Sequence, residues 1–147
     1  MTKPCEFSVM RVSWLADQHA LRALRTRVFI EEQKVQPSLE WDDLVDAECW
    51  HVLARDADGQ PIGCGRLLPD GVIGRMAVLP QARGRGVGAA LLEALLQLAR
   101  ERGHRVVTLS AQVHALGFYA RAGFVASGDQ YVDAGIPHRA MSLVLPD

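Results

Sequence analysis

The stretch QARGRGVGAALL, residues 81–92, puts three glycines and two arginines into positions 83–88, directly before an alanine- and leucine-rich run. From Gly88 to Arg102 the apolar residues Ala89, Leu91, Leu92, Leu95, Leu96, Leu98 and Ala99 recur at three- and four-residue spacing. Glu93, Gln97, Arg100 and Glu101 fall on the other side, so the pattern predicts an amphipathic helix that Gly103 stops. The glycines therefore stand at a helix N-terminus, where amide N–H groups lack partners and the helix dipole is positive. Glycine lets a ligand approach the backbone, and Arg83 and Arg85 add two charges. This reads as an anion cradle, most simply for phosphates. The plainer alternative is a flexible loop with solvated arginines.

Nucleotide motifs fit poorly. Gly84, Gly86 and Ala89 match the loose pattern G-x-G-x-x-G/A, but a dinucleotide site wants an acidic residue ending the next strand. The next strand candidate, RVVTLSAQ at 105–112, ends in Gln112. Gly88 is followed by Ala89 and Ala90 rather than Lys-Ser or Lys-Thr, which removes a nucleoside-triphosphate loop. No G-x-S-x-G supports a serine hydrolase. The histidines and cysteines lack zinc-ligand spacing, so no metal is expected.

The 147 residues predict one domain, 1–147, with 49% hydrophobic and 22% charged residues and a net charge of −1. That balance argues against general attraction to nucleic acid. The most apolar run, around 89–99, is broken by Glu93 and Gln97, so no membrane span is expected. Cys5, Cys49 and Cys64 are widely spaced and no signal-peptide pattern opens the chain, which reads as reduced thiols in the cytoplasm.

Strands are expected at 5–13, 50–56, 61–68, 72–79, 105–111, 124–132 and 138–145. A helix is expected from about Asp17, read as its N-cap, to Gln33, and a short one at 114–122. Residues 35–49 read as irregular and acidic. Asp58-Gly59 marks a hairpin, and Gly135-Ile136-Pro137 a final turn. The order βαβββαβαββ makes a mixed α/β sheet.

Two motifs carry a resemblance. Arg83, Gly86 and Gly88 lie between a strand and a helix, and Phe118-Tyr119 is followed by Gly123-Phe124. In this the chain resembles the GCN5-related N-acetyltransferases over most of residues 51–145. VFIEEQ (28–33), the acidic segment around residue 42 and DAGIPHRAMSL (133–143) look like the ElaA-like subgroup.

The resemblance implies an α+β fold, a mostly antiparallel sheet splayed around a cofactor cleft and flanked by helices. The anion is then the pyrophosphate of acetyl-CoA, gripped around Arg83, Gly84, Arg85, Gly86, Val87, Gly88 and Ala89. Main-chain atoms of Met76, Ala77 and Val78 would bond the pantetheine arm, which carries amides. Gln112, Phe118 and Tyr119 complete the cofactor-binding candidates. The implied reaction transfers an acetyl group to a primary amine of a small molecule or peptide. The Val78 N–H would stabilise the developing oxyanion and Tyr119 would protonate the departing sulfur; the alternative for Tyr119 is packing alone.

For the base, Glu32 near the end of the first helix is a candidate. EWDDLVDAE at 40–48 holds five carboxylates, either an electrostatic mouth for an amine, with Asp42 and Asp43 nearest it, or a solvated loop. His51 and His138 are further acceptor-side candidates, each equally readable as structural. A non-catalytic CoA-binding sensor, a longer acyl group and a homodimer through exposed strand edges remain open alternatives.

Overall fold

The computed structural model describes residues 6–146; Cys5, the first residue of the strand expected at 5–13, lies outside the described residues. Strand β1 (Phe7–Val12) leads into helix α1 (Trp14–Arg25). The N-cap is Ser13 rather than Asp17: the Ser13 hydroxyl accepts from the Ala16 amide at 3.1 Å. Asp17 sits in the first turn, where its charge suits the helix dipole. The helix continues to Glu32 as a wider π-helix, Thr26–Glu32, with the Gln33 N–H reaching Val28 O at 3.0 Å.

The acidic segment is more ordered than its composition suggests. It forms two short helices, α2 (Pro37–Glu40) and α3 (Asp43–Glu48). Pro37 stands in the first turn of α2, where its missing N–H costs nothing, and the Asp42 carboxylate accepts the Val45 amide at 3.4 Å to cap α3.

Strands β2 (Trp50–Asp56) and β3 (Pro61–Leu67) form a hairpin, in whose turn Asp56 Oδ1 accepts the amides of Asp58 and Gln60, both at 2.9 Å. Then follow β4 (Val72–Val78), α4 (Val87–Glu101), β5 (Val106–Gln112), a single 3-10 turn and α5 (Leu116–Arg121). Strands β6 (Val125–Asp133) and β7 (Ile136–Val144) close the chain. Their turn lies at Ala134-Gly135, both at positive φ (53° and 77°), as a two-residue primed turn requires. Pro137 is consequently a strand residue paired with Val132.

The seven strands form one sheet in the order β1-β2-β3-β4-β5-β7-β6. Every neighbouring pair is antiparallel except β4 and β5, which run parallel and pair only at Val72–Thr108 and Ile73–Leu109. A bulge causes the divergence. Cys64 pairs with Ala77 and Arg66 with Gly74, so Gly65 of β3 faces both Arg75 and Met76. Arg75 takes a φ of 51°, a left-handed conformation uncommon for a non-glycine residue. The extra residue bends β4 away from β5 and splits the sheet.

Helix α4 packs on one face of the sheet, burying Val87, Leu91, Leu92, Leu95, Leu96, Leu98 and Ala99. A Cβ on Gly63 would lie 2.9 Å from Leu91 Cδ1, and one on Gly65 2.8 Å from Leu95 Cδ1, so β3 is stripped of side chains where the helix presses closest. On the opposite face Leu21, Leu24, Val28 and Phe29 of the first helix cover Leu53, Cys64 and Ala77. Cys49 and Cys64 are buried free thiols. Among the described residues no helix is long and apolar enough to cross a membrane.

Candidate functional site

Where β4 and β5 part, the sheet opens into a cleft of about 890 Å³. Beyond Ile73 and Leu109 the ladder ends, so Gly74–Val78 and Ser110–Gln112 turn facing edges to this space with no strand between them. The end of the first helix (Val28, Phe29, Glu32, Gln33) walls one side, and Ala115 and Tyr119 the other. An open edge inside a sheet is a ready slot for an extended ligand bearing amides.

The N-terminus of α4 lies just beyond β4. Its first intrahelical bond is Ala90 N–H to Gly86 O at 3.0 Å, which leaves the Val87, Gly88 and Ala89 amides without helical acceptors. No side chain of the described residues caps this end. Gly84 and Gly86 have φ of 77° and 85°, and a Cβ added at either meets nothing within 4 Å. The main-chain donors are therefore approachable. A Cβ on Gly88 would touch the Phe118 ring at 3.3 Å, so this glycine seats α5 against α4.

Arg83 does not reach outward. Its guanidinium donates to both Glu32 oxygens at 2.8 and 2.7 Å, and its Nε–H to Val78 O at 2.9 Å. The paired hydrogen bonds to Arg83 hold the Glu32 carboxyl below its usual range. Arg85 is exposed.

Tyr119 packs edge-on to Phe118 and Phe124, at 5.0 and 5.9 Å between ring centres. Among the described residues its hydroxyl finds only Met76 Sδ, at 3.7 Å, a weak acceptor. Burial pushes its pKa up to about 12, so the phenol carries its proton through the physiological range. Across the cleft Gln33 and Gln112 exchange amide hydrogen bonds at 2.9 and 3.2 Å, tying the first helix to β5. His114 Nε2 lies 2.6 Å from Gln112 Oε1.

A charged cluster underlies the other end of the cleft. Arg25 donates to Glu40 Oε2 at 2.7 Å and Asp46 Oδ1 at 2.9 Å, and Arg66 donates to the same Asp46 oxygen at 2.7 Å. Arg75 Nε lies 3.0 Å from Glu40 Oε2, an ion pair whose angle does not make a hydrogen bond. Arg25, Glu40 and Asp46 are 1%, 3% and 0% exposed. Burial would raise the Asp46 pKa, but Arg25 and Arg66 outweigh it and hold the carboxyl low. Trp14 and Trp41 both lie against Arg25, with its guanidinium carbon 5.5 and 5.0 Å from their ring centres.

Of the residues singled out in the sequence, the cleft gathers Met76, Ala77, Val78, Arg83, Gln112, Tyr119, Glu32 and His138 along its lining. The 84–89 loop stands beside it, and Phe118 covers the first turn of α4. Others lie away from it. Asp42 is a helix cap, and Asp43 pairs with Arg22 at 2.6 Å. His51 is buried against Trp14, its Nε2 2.8 Å from Asp46 O, and burial lowers its pKa. His138 Nδ1 lies 2.6 Å from Ile136 O. The acidic mouth is thus largely spent internally: Glu40 and Asp46 turn inward to arginines. Arg25, Arg66, Arg75 and Gln33 had not been singled out. A Pro37 helix start and an Asp42 cap were readable and would have ordered the acidic segment; a buried arginine in a strand has no such signature. Among the described residues no group of three or more His, Cys, Asp or Glu could hold a metal.

A split mixed sheet with an uncapped helix N-terminus at its opening defines an α/β protein with a cleft suited to an anion and an extended amide-bearing ligand. The chain belongs to the GCN5-related N-acetyltransferase family: the family model for the acetyltransferase (GNAT) domain matches residues 17–145. It is 37% identical over 122 residues to the uncharacterized N-acetyltransferase YjcF of Bacillus subtilis, covering 80% of this chain and 86% of that one. An acyl-CoA N-acyltransferase from Pseudomonas aeruginosa superposes with a TM-score of 0.76 at 35% identity, over 94% of this chain and 98% of the other. ElaA of Escherichia coli does so at 0.78 and 29% identity, with coverage of 94% and 98%.

Proposed function

We propose that residues 1–147 form a single domain that transfers the acetyl group of acetyl-CoA to a primary amine. The observation that carries this reading is the pairing of two open features: an uncapped helix end, approachable at Gly84 and Gly86, and an unpaired strand slot starting at the same corner. A diphosphate followed by an amide-bearing arm fits that sequence of donors. Acetyl-CoA supplies the acetyl group as an activated thioester.

The amides from Gly84 to Ala89 hold the diphosphate, and Arg85 adds charge from the rim. Main-chain groups of Met76, Ala77 and Val78 pair with the arm, and the Val78 N–H faces the thioester oxygen. Tyr119 holds a proton beside Met76 and gives it to the leaving sulfur; its raised pKa keeps it protonated until then. Glu32 accepts an ammonium proton only after Arg83 turns to another anion, and a diphosphate at the cradle is such an anion.

The test is thiol release from acetyl-CoA over a panel of amines, with the product identified by mass. Turnover with an added acetyl group on nitrogen supports the reading. Tight acetyl-CoA binding without turnover of any amine would instead make the protein a coenzyme sensor.

A further inference from the structure

We propose that the amine acceptor carries a carboxylate, which Arg66 and Arg75 receive at the far end of the cleft. This rests on the transferase reading and names the substrate class of the same site.

The cluster below the cleft holds three guanidiniums, Arg25, Arg66 and Arg75, against two carboxylates, Glu40 and Asp46. His51 beside it is kept toward its neutral form by burial. Arg25 and Arg66 balance Glu40 and Asp46 among the buried groups, so the surplus cation is Arg75, whose side chain is 32% exposed and lines the cleft. A partly desolvated cation is stabilised where a counter-ion meets it. Arg66 is 8% exposed, lines the cleft, and among the described residues its Nε–H has no acceptor. Asp46 Oδ2 is also without a partner among the described residues. A small turn of Arg66 could join the two, but the charge count would not change.

Arg75 adds a second argument. A non-glycine residue at φ 51° is strained, and such strain clusters at ligand and active sites. Here the bulge sets Arg75 on the cleft, three residues before Val78, about 10 Å along an extended strand. The remaining acids lining the cleft suit this polarity. Glu32 and Glu40 are paired with arginines, and Asp133 lies exposed on the β6–β7 rim. An amine aimed at the acyl end and an anion at Arg66 and Arg75 would lie along the split.

The experiment compares each of glycine, β-alanine and γ-aminobutyrate with its own carboxamide, and with a diamine of similar length, by thiol release. We expect at least one amino-carboxylate to exceed its carboxamide by about tenfold or more in kcat/KM, chiefly through KM. Arg75→Gln should abolish that preference while leaving acetyl-CoA affinity unchanged. Equal use of carboxylate and carboxamide, or preference for the diamine, overturns the proposal and leaves the transferase reading intact. If no amine is turned over, that reading fails instead. Calorimetric titration of the same amino acids into the CoA-loaded protein then decides: binding lost in Arg75→Gln supports the anion site, and no binding overturns it. Should Arg75→Gln fail to fold, the wild-type comparison of acid against amide decides alone.

Discussion

Replacing Gly86 with valine separates ligand recognition from folding. Gly86 has φ 85° and open space beyond its Cα, so a valine side chain is strained there yet meets no protein atom. The strain costs about 1–3 kcal/mol of stability, against a typical total of about 5–15 kcal/mol, so the variant remains folded. The branched side chain would stand over the amides of Val87, Gly88 and Ala89. Hydrogen bonds to a charged partner contribute about 1.5–3 kcal/mol each. Losing one weakens CoA binding by roughly 10- to 100-fold. Gly103 is the matched control. It has φ 84°, equally open surroundings, and sits past the other end of α4, about 25 Å away at 1.5 Å per residue. Gly103→Val should show a comparable stability loss by urea unfolding and an unchanged CoA Kd by calorimetry. Equal affinity of Gly86→Val and wild type, or an equal loss in Gly103→Val, would refute the cradle.

Tyr119→Phe should lower kcat by roughly a hundredfold or more while CoA affinity and stability hold, because its hydroxyl has only the Met76 sulfur to lose; wild-type kcat in a steady-state assay would return Tyr119 to packing. Glu32→Gln frees Arg83 and removes a negative charge near the cradle, so CoA should bind about twofold to fivefold tighter by calorimetry. Asp46→Asn leaves Arg25 and Arg66 facing one another across a neutral amide, and urea unfolding should record a loss of about 3–5 kcal/mol. His51, buried beside Asp46, Arg25 and Arg66, has a folded pKa below its unfolded value of about 6.5. The unfolded chain therefore binds the proton more readily, and wild-type stability should fall as pH drops below about 6.5. Unfolding midpoints of His51→Gln between pH 5 and 6.5 should be flatter than those of wild type.

What could be read in the sequence followed local chemistry. Glycines before a helical stripe marked the uncapped start of α4, and Asp58-Gly59 between two strand candidates marked the β2–β3 hairpin. The first cap was misjudged because Ser13 and Asp17 both precede apolar periodicity, and only the bond to Ala16 distinguishes them. The acidic segment misled for a different reason. Five carboxylates suggest a solvated face, but their partners Arg25, Arg66 and Arg75 come from the first helix, β3 and β4, and distant pairing leaves no local trace. The split between β4 and β5 was expected from the family resemblance alone. Its cause, one extra residue at Arg75 and Met76 opposite Gly65, depends on the register of two strands.

The most direct measurement is a titration of the isotopically labelled protein with CoA, following backbone amides by NMR. Large shifts should concentrate at Gly84–Ala89 and at Met76–Val78, with the Gly103 amide unmoved. Saturable binding that leaves those amides unshifted, or shifts gathered elsewhere on the sheet, would contradict the placement of the coenzyme in the split.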